Sequence, residues 1–554
     1  IMNRESESYF RELPEVHIPR SKVVKEHNYK CTWNVGDCVP IYVDEILAGT
    51  TVSMDMAAVM RMQTPLYPTM DNLYTDFLWF FVPFRLVWEH WVNMWGENTS
   101  AWYPQVEYTV PQITTDSTHT FGAKSLADYM GLPTGVANIS VSALYFRSYV
   151  KIWNDWIRST PLQQESPNTL ADANQTHQPA STYKGGPLLK ANKMHDFFTS
   201  ALPDSQYGVE VQLPLGTLAP VVTKTDEYTY PTGTIPNTLK WAPTATSNTF
   251  TGGYHYGING IAASDGTKLS STEGIKGSSH SASDGVAVYP SNLWADLSAA
   301  TAATVSTLRS ALAIQHFYEA QARYGGGRYI SFLRGIFGVV SPDGRLQRSE
   351  YLGGRRVPHN IATVVQTSST DTTSPQGNTA GFSHTADKHD YFTKSFTEPG
   401  VLMCIMVTRY KHSYSQGIPE MFQRRKWTDF YVPQFNGISE VGVKNKTLYA
   451  TGTSTDDEIF GYQEYGSSYR YYPDTVVSEL RPNYSQTLDA WHYGDNYNSL
   501  PVLGSTWIQE DKANVDRTLA VSSGLADQML GDFFFKPTYV LPMPIYSLPG
   551  LDKI

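Results

Sequence analysis

The order of apolar and polar positions predicts a chain built mostly of strands. In "TDFLWFFVPF", Phe77, Trp79 and Phe81 alternate with Leu78 and Phe80, so both faces are apolar and the strand should be covered on both sides. Pro83 should stop its pairing. "GTTVSMDMAAVMRMQT" sets Val52, Met54 and Met56 on one face, the pattern of a half-buried strand. "GVLMCIMVTRY" holds a continuous apolar run from Val401 to Val407, too short for a membrane helix and suited to a central sandwich strand. "GDFFFKPTYVLPMPIYSLPGL" is apolar but broken by Pro537, Pro542, Pro544 and Pro549, which excludes a helix. It should run extended along its own subunit or a neighbour.

Helical periodicity is rare. In "LWADLSAATAATVSTLRSALAIQHFYEAQARYGGG", Val305, Leu308, Ala311, Leu312, Ile314, Gln315 and Tyr318 follow helical spacing, with Arg323 and Gly325 as C-terminal signals. "SALYFRSYVKIWNDWIR" places Tyr145, Tyr149, Ile152, Trp153 and Trp156 on one stripe, read as core rather than as a ligand cradle. Long polar stretches separate these elements, the largest from about Leu215 to Ser291, rich in Gly, Ser and Thr. A loop of that length is either functional or a linker, and its scattered aromatics favour a subdomain. The chain divides on this basis into residues 1–214, an insertion at 215–291, and residues 292–554.

Composition supports the strand-rich reading. The 554 residues include 36 Tyr, 33 Pro and 41 Gly, which favour strands and turns. Only 17% are charged, so much of the surface must be uncharged, as burial in an assembly would explain. The net charge of −10 argues against nucleic-acid binding by the whole surface and leaves room for a local basic patch. Cys31, Cys38 and Cys404 make no disulfide framework and read as free thiols of a reducing compartment. No stretch is apolar enough to span a membrane, and "IMNRESESYF" lacks a signal-peptide pattern, so no membrane insertion is expected.

Catalytic and cofactor motifs are scarce, and no catalytic residue, cofactor or metal site is predicted. "RYGGGRYISFLRG" lacks the Gly-Lys-Ser/Thr ending of a phosphate loop; its glycines read as a helix end and a tight turn. His384, Asp387, His389 and Asp390 have no defined metal-ligand spacing and read as an exposed polar loop. Asp456 and Asp457 could suit glycoside chemistry only if their carboxylates were correctly separated. The basic clusters say more: Arg345, Arg348, Arg355 and Arg356 in one segment, and Arg424, Arg425 and Lys426 beside Trp427 in another. Arginine next to aromatic rings suits phosphate contact with base stacking; ties between loops and subunits are the competing role.

"VGDCVPIYVDEILAGTT", "RMQTPLYPTMDNLYTDFLWFFVPFRLVWEHW", "WGENTSAWYPQVEYTVPQ", "ISFLRGIFGVVSPDGRLQRSEYLGG" and "LPMPIYSLPGL", spread over the whole chain, together resemble the major capsid proteins of microviruses, specifically the gokushovirus group. The resemblance implies a mainly β fold, an eight-stranded antiparallel jelly-roll β-barrel of the viral capsid type with long loop insertions and a few helices. It implies self-assembly in the host bacterial cytoplasm into a T=1 icosahedral shell around circular single-stranded DNA. A small basic protein would accompany the DNA. The 215–291 insertion would form a protrusion at the threefold axis that contacts a bacterial surface receptor. On this reading Arg345, Arg348, Arg355, Arg356, Arg424, Arg425 and Lys426 are candidates to face DNA. Phe84, Trp88, Trp91, Phe533, Phe534, Phe535 and Tyr546 are candidate anchors between subunits, and the tail from Phe533 to Leu551 is a strap along the shell. Competing readings are a glycan-binding or carbohydrate-active β protein, which would stay monomeric or form a small oligomer, and a single-stranded-DNA-binding protein.

Overall fold

The computed structural model describes residues 18–97, 106–211, 304–370, 372 and 375–546, and the backbone of the short strands Val221–Thr223, Trp241–Pro243, Val288–Pro290 and Leu293–Ala295. These fall into two compact units, one drawn from Ile1–Gly208 and Tyr318–Ile554 and the other from Val209–Phe317.

The first unit is dominated by two antiparallel sheets. The strands of these two sheets are β1 (Ser21–Val24), β2 (His27–Trp33), β3 (Cys38–Ile46), β4 (Thr51–Met62), β5 (Leu73–Pro83), β6 (Glu350–Pro358), β7 (Thr385–Ser395), β8 (Gly400–Tyr410), β9 (Met529–Phe535) and β10 (Thr538–Leu541). In one sheet β4 pairs with β7 along one edge and with β9 and then β10 along the other; β9 pairs with β2 and β10 with β1. The other sheet has the order β6-β5-β8-β3. The proline-rich tail therefore adds strands to its own subunit as far as Leu541, and Pro537 marks the break between β9 and β10. Of the two courses the sequence left open, its own subunit or a neighbour, Phe533–Leu541 takes its own; residues 547–551 lie outside the described residues.

Alternation explains the core. Val52, Met54, Met56, Ala58, Met60 and Met62 of β4 point inward and meet Phe77, Trp79 and Phe81 of β5, Leu402, Cys404 and Met406 of β8, and Phe533 and Phe535 of β9. The opposite faces of β5 and β8 are also covered. Phe80, Val82, Val401, Met403, Ile405 and Val407 join a second core closed by α1 (Leu144–Ile152) and the segments around it. Each fully buried aliphatic or aromatic side chain contributes about 1.5–3 kcal/mol, which is why both apolar faces of β5 are enclosed. Tyr149, Ile152 and Trp153 of the aromatic stripe are buried in this second core.

Two further helices are α2 (Val305–Tyr324) and α3 (Tyr329–Phe337). The first is shorter than its sequence pattern suggests, because Leu293–Ala295 pairs as a strand with Val221–Thr223 instead. Its stripe is not a core stripe: Val305, Leu308, Leu312 and Ile314 are exposed. Gly325 donates its N–H to Gln321 O at 2.9 Å, and Gly326 and Gly327 take φ of 53° and 65°, a turn that glycine adopts without strain.

Within the second unit, Trp241–Pro243 pairs with Val288–Pro290 and Val221–Thr223 with Leu293–Ala295, both antiparallel. The insertion proposed at 215–291 otherwise lies outside the described residues.

Candidate assembly and nucleic-acid surfaces

The aromatic segment after β5 turns inward. Phe84, Trp88 and Trp91 are buried in the second core; the Phe84 and Trp91 rings lie 4.5 Å apart, and Trp88 Nε1 donates to Asp172 Oδ1 at 2.5 Å. Arg147, itself buried, donates to the carbonyls of Val87 and Ala171 at 3.2 and 2.9 Å. Side chains between Tyr108 and Ala191 of the same chain pack in this core with these rings. Phe533 and Phe535 likewise point into the sandwich, Phe535 lying 5.0 Å from the Tyr42 ring. Only Phe534, 39% exposed, and Tyr546, 79% exposed, present an outward ring. Of the seven candidate anchors, these two are the exposed ones in the single chain.

Most of the first basic cluster is committed within the chain. Arg348 donates to Asp155 O at 2.7 Å and stacks 4.4 Å above Trp156. Arg355 reaches Asp387 Oδ1 at 2.7 Å. Arg356 grips Asp76 through Nε at 2.6 Å and its terminal nitrogen at 2.9 Å, and Arg409 contacts the same carboxylate. Burial alone would raise the Asp76 pKa, but the two guanidiniums outweigh it and hold it below the usual range. Arg345 is exposed.

The second cluster is more open. Arg424 donates to Ser468 Oγ at 3.0 Å and lies 4.2 Å over the Tyr469 ring. Arg425 and Lys426 are exposed, with their backbone N–H groups held by Asp429 Oδ2 at 2.8 and 2.9 Å. Around them stand Phe422, 72% exposed, Trp427, 69% exposed, and the exposed rings of Phe430, Tyr431 and Tyr472. A second exposed apolar surface, missed in the sequence reading, is α3 and its continuation, where Tyr329, Phe337, Val339 and Val340 face outward. Its signal was legible: "YISFLRGIFGVV" is apolar nearly all round, as a helix covered on every side would be.

The remaining chemical candidates have structural partners. His384 precedes β7, and Asp387, His389 and Asp390 lie on it rather than in a loop; no group of three or more potential metal ligands occurs among the described residues. Asp456 accepts from Thr451 and Gly452, while Lys446 and Lys444 hold the Asp457 pKa down to about 2. Cys38 and Cys404 are buried free thiols, and burial pushes the half-buried Cys31 up to about 12.

A family model described as "Capsid protein (F protein)" matches residues 11–551. The chain belongs to this capsid protein family. It is 40% identical over 547 residues to capsid protein VP1 of Spiroplasma virus 4, covering 97% of this chain and 96% of that one. To capsid protein VP1 of Bdellovibrio phage phiMH2K it is 38% identical over 553 residues, covering 99% and 98%. To that of Chlamydia phage 1 it is 34% identical over 592 residues, covering 98% of each. The family's role is structural, that of a component of a microvirus-type phage capsid and not an enzyme. Among the described residues no helix is long and apolar enough to cross a membrane.

Proposed function

We propose that the protein self-assembles, in the cytoplasm of a bacterial host, into a closed T=1 shell of the gokushovirus type around circular single-stranded DNA. The observation that carries this reading is the outward placement of Phe422, Trp427, Phe337 and Val340, side chains a lone soluble subunit would bury. At about 25 cal/mol per Å², a few such side chains per contact supply several kcal/mol before association entropy is subtracted. Contacts with several neighbours then multiply their effect on closure.

The jelly-roll reading rests on strand order. With β1 and β2 taken as one bent strand, and β9 and β10 as another, eight strands form two four-strand sheets. The chain changes sheet at every step except β5 to β6, the order of a double Greek key. The nested antiparallel pairs of the second unit suit an insertion that leaves and returns at one place, in keeping with a protrusion at the threefold axis that meets a host receptor. Arg345, Arg425 and Lys426, with Arg424 stacked beside them, are the candidates to face the genome. With a net charge of −10, the subunit leaves most phosphate neutralisation to a small basic virion protein.

Electron microscopy of the purified, expressed protein tests the proposal. Closed particles of uniform diameter are expected; a stable population of isolated subunits under all assembly conditions would overturn it.

A further inference from the structure

The outer face of the β5–β8 sheet carries a cavity of about 720 Å³, bounded by Leu78, Val407, the chain just beyond α1 and the glycine turn between α2 and α3. Its lining is cationic: Arg158, Lys193, Arg323, Arg328 and Arg409 contribute, against Asp204 as the one acidic side chain among the described residues. Asp204 is exposed and accepts from its own neighbour Ser205. Three of the cations are answered from outside the lining, Arg323 by Glu440, Arg409 by Asp76 and Lys193 by Asp495. Arg158 meets the exposed Glu165 at 3.1 Å, but its Nε and that of Arg409 are buried without a partner among the described residues. Arg328 has no carboxylate partner among them; it donates to the carbonyls of Asn154 and Arg158 at 3.1 and 2.8 Å. Burial, Arg158 and Arg348 pull its pKa down to about 10, the behaviour of a guanidinium short of negative charge.

We propose that this cavity binds a phosphoryl oxyanion, either free inorganic phosphate or a phosphodiester of a nucleic-acid strand. Arg328, which has no carboxylate partner among the described residues, lines the cavity with Arg158 and Arg409, guanidiniums of the kind that recognise phosphate oxygens. Ser331, in the first turn of α3, also lines the cavity, so the positive end of that helix adds to the field. The glycine turn, which lacks the sequence of a phosphate loop, serves the site by letting the chain pass close to Thr160: a Cβ on Gly327 would stand 3.0 Å from Thr160 Cβ. Of the two sources, only hydrogen phosphate carries an O–H of its own, so a site that takes the free ion should prefer it to sulfate.

The test is calorimetric titration of the full-length protein, in dilute chloride buffer, with inorganic phosphate, with sulfate and with a short oligothymidylate. Saturable phosphate binding tighter than about 1 mM is expected. Arg328→Gln should weaken it about tenfold to a hundredfold, while Lys30→Gln, at an exposed side chain outside the cavity lining, leaves it unchanged. Ser331→Asp is the second variant, since an acid in the first helical turn favours folding yet repels an anion at the cavity. Phosphate binding that the oligothymidylate does not displace, with phosphate preferred over sulfate, assigns the site to the free ion. Displacement by the oligothymidylate assigns it to a strand. No saturable binding of phosphate or oligothymidylate to the unaltered chain overturns the proposal, as does phosphate binding that folded Arg328→Gln and Ser331→Asp proteins retain in full. None of these outcomes depends on whether shells form.

Discussion

His412 Nδ1 lies 2.8 Å from Asp495 Oδ1, with both side chains sealed from water. On the other side of the ring, Nε2 meets Glu510 at 3.1 Å, and Lys193 Nζ stands 3.6 Å from the second oxygen of Asp495. Burial would push the imidazole pKa down, but the two carboxylates outweigh it and hold the group up at about 10. An unfolded histidine titrates near about 6.5. The stabilisation is therefore complete below about pH 6.5 and is lost as pH rises through about 10. The melting temperature of the dissociated subunit should fall progressively across that window. His412→Gln should remove this part of the slope and cost about 3–5 kcal/mol at neutral pH, because it leaves two buried carboxylates short of a cation. A melting profile of both proteins against pH checks it.

Asp76 is buried, whereas Arg356 is nearly half exposed, so the two ends of their ion pair should differ in what they are worth. Asp76→Ala leaves Arg356 and Arg409 facing each other without the carboxylate and should cost about 3–5 kcal/mol. Arg356→Ala removes a partly screened partner, and Arg409 still holds Asp76, so about 1 kcal/mol is expected. Urea unfolding of the subunit measures both, and DNA content per particle should be unchanged by Arg356→Ala.

Arg425 and Lys426 make no side-chain ion pair among the described residues and stand beside exposed rings. Replacing both by Ala should lower the DNA retained by assembled particles. Loss of two phosphate contacts should also reduce the salt slope of single-strand binding by about 1.4. Particles that assemble normally and hold as much DNA as before would remove this pair from the genome-facing surface.

What the sequence revealed and concealed divides along the range of the interactions. β4, β5 and β8 were legible because alternation at Val52, Met54 and Met56, and unbroken apolar runs at Phe77–Phe81 and Val401–Val407, are local records of burial. The start of α2 was not legible, because Leu293–Ala295 follows a partner about seventy residues earlier at Val221–Thr223 rather than its own propensity. Periodicity marked the stripe on α2 but could not say what covers it. The partners of the basic clusters were hidden for the same reason. Arg355 and Arg356 look like a patch on one strand, yet their partners Asp387 and Asp76 arrive from other strands. The His412 network left no local signal, since its acids lie 83 and 98 positions away.

The aromatic segment after β5 gives the sharpest contrast, because a ring that closes a core and a ring that joins subunits look alike in sequence. Trp88 is fully buried, packed against Trp91 and bonded to Asp172, so Trp88→Ala should cost about 3–5 kcal/mol in the isolated subunit. Phe534 and Tyr546 are exposed, and their joint replacement by Ala should change the subunit's melting temperature little. That double variant should instead raise the protein concentration needed for particles to form, because each anchor recurs at every copy of the contact. Sedimentation analysis alongside thermal melting separates the two effects. A Trp88→Ala subunit that melts normally but does not assemble would return that ring to the interface and overturn the cover supplied between Tyr108 and Ala191.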